Sequence, residues 1–573
     1  MTAEDTGAPR AGADPERHRA AARARALAFE MVAWPSETGT ADEAAFPRRL
    51  ADLLRGWPYF RDHPDAVVVL ESHGEPRTGA VLALVRGTGR SCVALSGHFD
   101  TVTTENYGAL APLACDPVPL AGALVEELLA GRRNDDEERA LDDLREGSFI
   151  PGRGMLDMKS GLAAGLACLE RFARQDERVG NMLFIAVPDE ENRSRGMRAV
   201  RDALPDLVRR WDLRIAAGIN LDATSDLGDG SDGRAIYLGT VGKVLPFAFV
   251  IGRPTHAGYP LEGVSAHMIA GEIFRSVELD PDLCESVAGE VSPPPVCLEA
   301  KDLRVHYDVT MPGETWLAFN WLTFERGPCE VLALFRDRVG LALDEALDRI
   351  ADRAARYYRA MGARPPDRRE GRVLTFDELR REAGRVGGPD ATRRFEALER
   401  SLDGEENPLL VSRTLVARLV ADAGIVGPAV VVGLGSLYYP PTRVEAGDPG
   451  HERLRGIVTA AAARIGAVHG TSVRTRAFFG GICDMSFFGH RPDAADASVV
   501  RAQTPSLAHV DRAPPDALSF PCVNIGPWGR EYHQKLERVH APYAFDVLPD
   551  LVHDIARAIL AGDSRERPVT GLE

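Results

Sequence analysis

Four short stretches of the chain carry the residue types from which a metal-binding site is built. Residues 96–102 read SGHFDTV, residues 152–161 GRGMLDMKSG, residues 187–192 VPDEEN and residues 220–226 NLDATSD. They supply His98 and Asp100, then Asp157, then Asp189, Glu190 and Glu191, then Asp222. Carboxylates gathered this closely repel one another and raise each other's pKa unless a cation sits among them. Mixed imidazole and carboxylate ligands suit Zn²⁺, with Mn²⁺ or Co²⁺ as alternatives. Two ions about 3.5–4 Å apart need a short bridging group, which one carboxylate on a glycine-rich loop can supply. Such a centre then wants a second histidine from elsewhere. Glu190 and Glu191 are neighbours, and in extended chain their side chains point to opposite sides. One can therefore meet a metal while the other faces away from it.

The elements that must position these residues are legible in the hydropathy pattern. CVAL runs into His98, LFIAV into the acidic triplet and IAAGIN into Asp222. Each apolar run reads as a strand, and helical stretches such as RHRAAARARALAFEMVAW and AAFPRRLADLLRGW lie between or before them. Strands interleaved with helices predict an α/β catalytic domain with a mixed sheet flanked by helices, ligands gathering at the carboxyl ends of its strands. Its first part is expected over residues 16–240, after a disordered tail over 1–15. Near Gly239 the texture turns to strands around a Gly/Pro-rich loop, which predicts an inserted α+β lid or dimerisation domain over 241–340. Residues 341–424 are helix-rich and charged and read as a solvated elaboration. The α/β pattern resumes with GPAVVVGLGSLYY and runs to a final helix near 547–561, so 425–565 is expected to complete the catalytic domain.

The bulk properties narrow the partners. A chain of 573 residues exceeds a single typical core. A formal charge of −17 speaks against nucleic acid or an anionic membrane surface, both of which reward positive charge. No apolar run approaches 18 residues, and the acidic start lacks a signal-peptide core. Eight cysteines without a CxxC pair read as reduced thiols, which points to the cytoplasm.

Taken in order, GHFDTV, GRGMLDMKSGLAAGL, VPDEEN, NLD, GRPTHAGYPLEGVSA, GGICDMSFFG and GPWGREYHQKLERV resemble the M20 family of co-catalytic zinc peptidases and amidohydrolases. LAFNWLTF and GSLYYPP, with the extra helical segment, more loosely resemble its arginine-utilisation RocB-type branch. The resemblance implies a cytosolic enzyme with two Zn²⁺ per chain that cleaves an amide or peptide bond in a small substrate. A short peptide or an N-acyl amino acid or amine fits, and the branch adds an arginine-metabolism context. It implies that His98 and Asp222 hold one metal, that Glu191 and His533 hold the second and that Asp157 bridges them. Glu190 is then the general base. Asp100 accepts the other N–H of His98 and fixes its tautomer. His256, on the inserted domain, offers a donor to the oxyanion, and that domain makes a homodimer.

Blander readings stand beside these. Asp157 could cap the helix that follows it, and VPDEEN could be a solvated turn. Asp226 competes with Asp222, and His540 competes with His533, whose His-x-x-x-Glu spacing favours it. Ser160 stands where the family has a glycine, and Cys483 where a small hydroxyl residue is usual. The runner-up function is a catalytically silent, metal-stabilised binding or regulatory protein on the same fold. A dinuclear phosphoester hydrolase comes third, for want of an Arg/Lys cluster to hold phosphate.

Overall fold

The computed structural model describes residues 14–74, 77–304 and 306–563. The tail expected over 1–15 lies outside the described residues as far as residue 13. Asp14 and Pro15 already belong to a helix, Pro15–Val32, where the Asp14 side chain accepts from Glu16 N and proline stands at the first position.

The chain forms two units. The first comprises residues 1–240, 443–491 and 513–573. Its main sheet runs Val67–Glu71, Gly79–Val85, Val179–Val187, Thr88–His98, Arg214–Asn220, Cys522–Asn524, Ala235–Tyr237 and Arg474–Arg476. The four strands from Val179–Val187 to Cys522–Asn524 are mutually parallel, so their carboxyl ends share one edge. Register does the positioning: His98 lies beside Val187 and Ser96 beside Asn220. Asp222, two residues beyond Asn220, therefore arrives level with His98, and the acidic triplet begins two residues past Val187. Helices Pro15–Val32, Ser160–Ala173 and Leu548–Asp563 share the core of this unit with the sheet. Helix Ser160–Ala173 can lie close to the sheet because Gly161 stands at its start. A Cβ there would meet the Leu221 carbonyl oxygen at 2.2 Å. The displaced family glycine is thus one residue along and still required.

The second unit comprises residues 241–442 and 492–512. Its sheet runs Gly242–Val244, Glu314–Thr323, Pro246–Ile251, Ala429–Leu434 and Arg372–Thr375, with Val296–Asp302 also paired to Glu314–Thr323. Two of the sequence boundaries move. Residues 425–442 do not return to the catalytic unit, because Ala429–Leu434 pairs antiparallel with Pro246–Ile251. Nor are residues 341–424 a solvated appendage. Val430, Val432 and Leu434 face a core shared with helices Ala266–Val277 and Pro328–Ala360. Ala429 and Val431 face another, built from helices Phe376–Ser401 and Pro408–Ala423. A strand covered on both faces reads as an unbroken apolar run whichever sheet it joins, which is why AVVVGL looked like catalytic sequence. Among the described residues no helix is long and apolar enough to cross a membrane, and all eight cysteines are unpaired.

Candidate metal centre

His98 ends its strand with only 2% of its side chain exposed. Its Nε2 lies 3.2 Å from Asp157 Oδ1, 3.6 Å from Asp222 Oδ1 and 3.9 Å from Glu190 Oε2. His533 approaches the same cluster from the far end of the sequence. Its Nε2 is 3.1 Å from Asp157 Oδ2 and 3.1 Å from Glu191 Oε1. Asp157 therefore turns one oxygen to each histidine. The side chains of His98, Asp157, Glu190, Glu191, Asp222 and His533 lie together in one cluster. His256 stands in the second unit on an exposed loop, where its Nδ1 accepts from Gly258 N at 3.0 Å.

The competing candidates have other partners. Asp226 accepts from the backbone N–H groups of Gly228, Asp232 and Gly233 and so holds a turn. His540 stacks on Trp528 at 4.8 Å and is pushed down to about 4 by burial and by the Arg234 and Arg530 charges. Asp189 is ion-paired with Arg195 at 2.6 Å and also accepts from Arg195 N.

Asp100 offers His98 two acceptors. The nearer acceptor for His98 Nδ1 is the Asp100 backbone carbonyl at 3.0 Å, with its carboxylate at 3.5 Å. The carboxylate is engaged elsewhere: Oδ1 accepts from Glu190 N and Oδ2 from Glu191 N, each at 3.1 Å, and Thr38 Oγ1 donates to Oδ2 at 2.9 Å. Asp100 thus sets the His98 tautomer through its main chain and fixes the loop carrying both glutamates through its side chain. Glu43 holds the same loop one residue earlier, accepting from Asp189 N at 2.9 Å. These clamps stabilise a conformation that costs about 1–3 kcal/mol per residue, for Asp189 and Ser194 both have positive φ, 66° and 49°.

Electrostatics describes what the cluster lacks. Burial pushes Glu190 well above the ordinary carboxylate range; His98 opposes this, and Asp222 and Glu191 add to it. Burial likewise raises Glu191 and Asp222. Asp484, 2% exposed in the GGICDMS stretch, is pushed up to about 8 by burial. Burial works against charge on the histidines too. Yet the carboxylates of Asp100, Asp157 and Asp222 hold His98 well above its usual value, and those of Asp157 and Glu191 hold His533 at about 10. The carboxylates thus favour positive charge at the centre of the cluster. Asp157 Oδ1 and Glu191 Oε1 are buried without a hydrogen-bond partner, although each lies within 3.2 Å of an imidazole nitrogen. Donors that converge without aligning on one another are arranged around a common point. His98, Asp157 and Glu191 offer atoms all within 4.8 Å of one another. The donor set fits divalent ions of the zinc class.

A model of peptidase family M20/M25/M40 matches residues 94–514. The chain belongs to this family. It is 31% identical over 538 residues to the uncharacterized protein YqjN of Bacillus subtilis (strain 168), covering 93% of this chain and 96% of that one. It is 29% identical over 545 residues to protein RocB of the same strain, covering 93% and 94%. Among solved structures, aminopeptidase PepT from Bacillus cereus ATCC 10987 aligns with 94% of this chain and 98% of its own, at 15% identity and a TM-score of 0.49. As an M20 member the protein is a hydrolase of the metallopeptidase and amidohydrolase type.

Around the family's ligand motifs stand residues that the sequence reading passed over. Asn524 Oδ1 accepts from Asp222 N at 3.0 Å, and its Nδ2 donates to Asp222 O at 3.0 Å, pinning that ligand's backbone. Glu537 accepts from Gly154 N at 3.0 Å and is ion-paired with Arg153, both side chains 1% exposed. The His-x-x-x-Glu spacing pointed to this glutamate without saying what it does. Thr38 and Glu43 lie in SETGTADE, whose only signal was a helix start.

Proposed function

We propose that this protein is a dinuclear zinc-dependent hydrolase that cleaves an amide or peptide bond in a small substrate, a short peptide or an N-acyl amino acid or amine. The observation that carries the reading is Asp157, whose two oxygens face His98 and His533 separately. In this reading His98 and Asp222 would hold one ion and Glu191 and His533 the other, with Asp157 contributing to both. When bound, the ions supply positive charge that lowers the pKa of a water and polarises the scissile carbonyl.

The chain's own residues do the rest. Glu190 is buried beside the centre and its raised pKa suits a group that takes a proton from water and returns it to the leaving amine. Asp100 keeps Glu190 and Glu191 in register through their N–H groups. His256 serves as a further donor to the oxyanion, an assignment supported by the family motif around it. The same resemblance supports a homodimer formed through the second unit, and a cytoplasmic location. The likeness to the RocB-type branch puts arginine derivatives among the candidate substrates.

The test is metal content per purified chain, paired with hydrolysis of a panel of dipeptides, N-acyl amino acids and N-acyl arginines with and without chelator. Near two ions per chain, with chelator-sensitive release of a free amine, is expected. A protein that takes up no metal after added Zn²⁺ refutes the assignment of His98.

A further inference from the structure

The side chain of His533 is itself little covered by packing. The His533 side chain is 42% exposed, and both Glu531 and His533 have positive φ, 57° and 65°. Such residues persist only where their surroundings over-determine them. One constraint is a relay of side chains spanning three distant segments. Glu537 Oε1 accepts from Gly154 N at 3.0 Å, in the glycine loop that carries Asp157. Glu537 Oε2 pairs with Arg153 Nη1. Arg153 Nη2 donates to Asn106 Oδ1 at 2.9 Å, and Asn106 Nδ2 donates to the backbone carbonyl of His533 at 2.9 Å. The Arg153 guanidinium also lies over the buried Tyr107 ring, 5.2 Å from its centroid.

The chemistry of the relay explains the residue types. Arginine only donates and a carbonyl only accepts, so the link between them must accept at one end and donate at the other. A primary amide does both from one plane, which fixes the orientation of the Asn106 side chain without ambiguity. Aspartate of the same shape can accept from Arg153 but cannot donate to His533. Arg153 and Glu537 anchor the relay from the interior, so the exposed end at Asn106 inherits a fixed position.

We infer that Asn106 is a positioning residue for the second ion, transmitting the placement of the Asp157 loop to the backbone of His533 through Arg153. This rests on the two-ion reading above and adds a determinant outside the ligand motifs. Partners of this kind, one step behind a ligand, change metal affinity about 10–100-fold when removed. The ion shared by His533, Glu191 and Asp157 is expected to weaken while the one shared by His98 and Asp222 is retained.

The experiment titrates Zn²⁺ alone into the full metal-free chain against a chromophoric chelator, for wild type, Asn106→Ala and Asn106→Asp. Two sites are expected in wild type. In both variants one site should weaken about tenfold or more, with activity recovered by excess Zn²⁺ and the unfolding midpoint of the metal-free protein unchanged. Asn106→Asp keeps the Arg153 contact, so it decides the matter should Asn106→Ala disturb folding. Two sites of wild-type affinity in Asn106→Asp, or a fall in the metal-free midpoint that accounts for the lost affinity, overturns the relay alone. Fewer than two sites in wild type overturns the dinuclear reading, and the relay with it.

Discussion

His553 makes the stability of the catalytic unit sensitive to acid. It lies on the C-terminal helix Leu548–Asp563, 4% exposed, with Nδ1 3.7 Å from Cys168 Sγ on helix Ser160–Ala173. Burial, followed by the charges of Arg171 and Arg557, pushes it down to about 3, with Asp550 opposing. An unfolded chain protonates this imidazole near 6.5 while the folded chain keeps it neutral, so between those values the unfolded state binds more protons. Stability is therefore full above pH 6.5 and is lost as pH falls toward 3. From pH 7 to pH 5 the unfolded group goes from mostly neutral to almost fully protonated and the folded one does not change. One proton over that window amounts to about 2 kcal/mol.

The substitution His553→Gln keeps a polar side chain of similar size and removes the titration. Urea midpoints of metal-free wild type and variant at pH 7 and pH 5 give a double difference in which every other titrating group cancels. The variant should lose about 2 kcal/mol less than wild type over that interval. Parallel losses would refute the argument, because they would mean that the imidazole protonates in place. The consequence reaches the metal centre, since the helix carrying Cys168 begins three residues after Asp157.

Glu190→Gln should lower turnover by about 10²-fold or more while metal content, read by atomic absorption, stays at the wild-type value. Gly526→Ala would set a methyl 1.9 Å from the Asp222 carbonyl oxygen, so zinc titration should show the ion near His98 lost; Gly122→Ala, which meets nothing within 4 Å inside a helix, should bind metal normally and gain about 0.5–1 kcal/mol in unfolding free energy. Phe376→Ala empties a fully buried position under the sheet of the second unit. It should cost about 3–5 kcal/mol, seen as faster proteolytic cleavage within 376–423 with metal content unchanged.

The strands that lead into the cluster were readable because each is an apolar run that stops at a polar residue; the sheet register brings His98 and Asp222 level, while Glu191 also needs the loop clamps of Asp100 and Glu43. The helices Pro15–Val32 and Ala41–Arg55 were readable from composition and spacing. What escaped was the assignment of elements to sheets. Ala429–Leu434 carries no sign of which neighbour its hydrogen bonds go to, because both its faces are buried. Helix Phe376–Ser401 looked solvated because its charged residues outnumber the narrow apolar stripe of Phe376, Leu379, Ala383 and Phe395. Asn106, Glu43 and Asn524 were invisible for a different reason. Each acts on backbone far away in sequence, at His533, Asp189 and Asp222 respectively, and single polar residues carry no periodicity.

The acidic residues show most clearly what a sequence withholds. In VPDEEN three carboxylates stand side by side, and nothing in their types separates a ligand from a strut. Hydrogen-bond accounting does. Asp189 spends its oxygens on Arg195, Asp100 on two backbone N–H groups and Thr38, Glu43 on Gly39 and Asp189, Glu537 on Arg153 and the Gly154 loop. These carboxylates are neutralised or hydrogen-bonded by the protein itself, as buried acids must be. Asp157 and Glu191 are slightly more exposed, yet each leaves a buried oxygen without a hydrogen bond where the two histidines converge. Leaving such a group unpaired costs about 1–3 kcal/mol or more for a charge. In the proposed two-ion reading a divalent cation would remove that cost, the struts fixing the geometry that presents these oxygens to it.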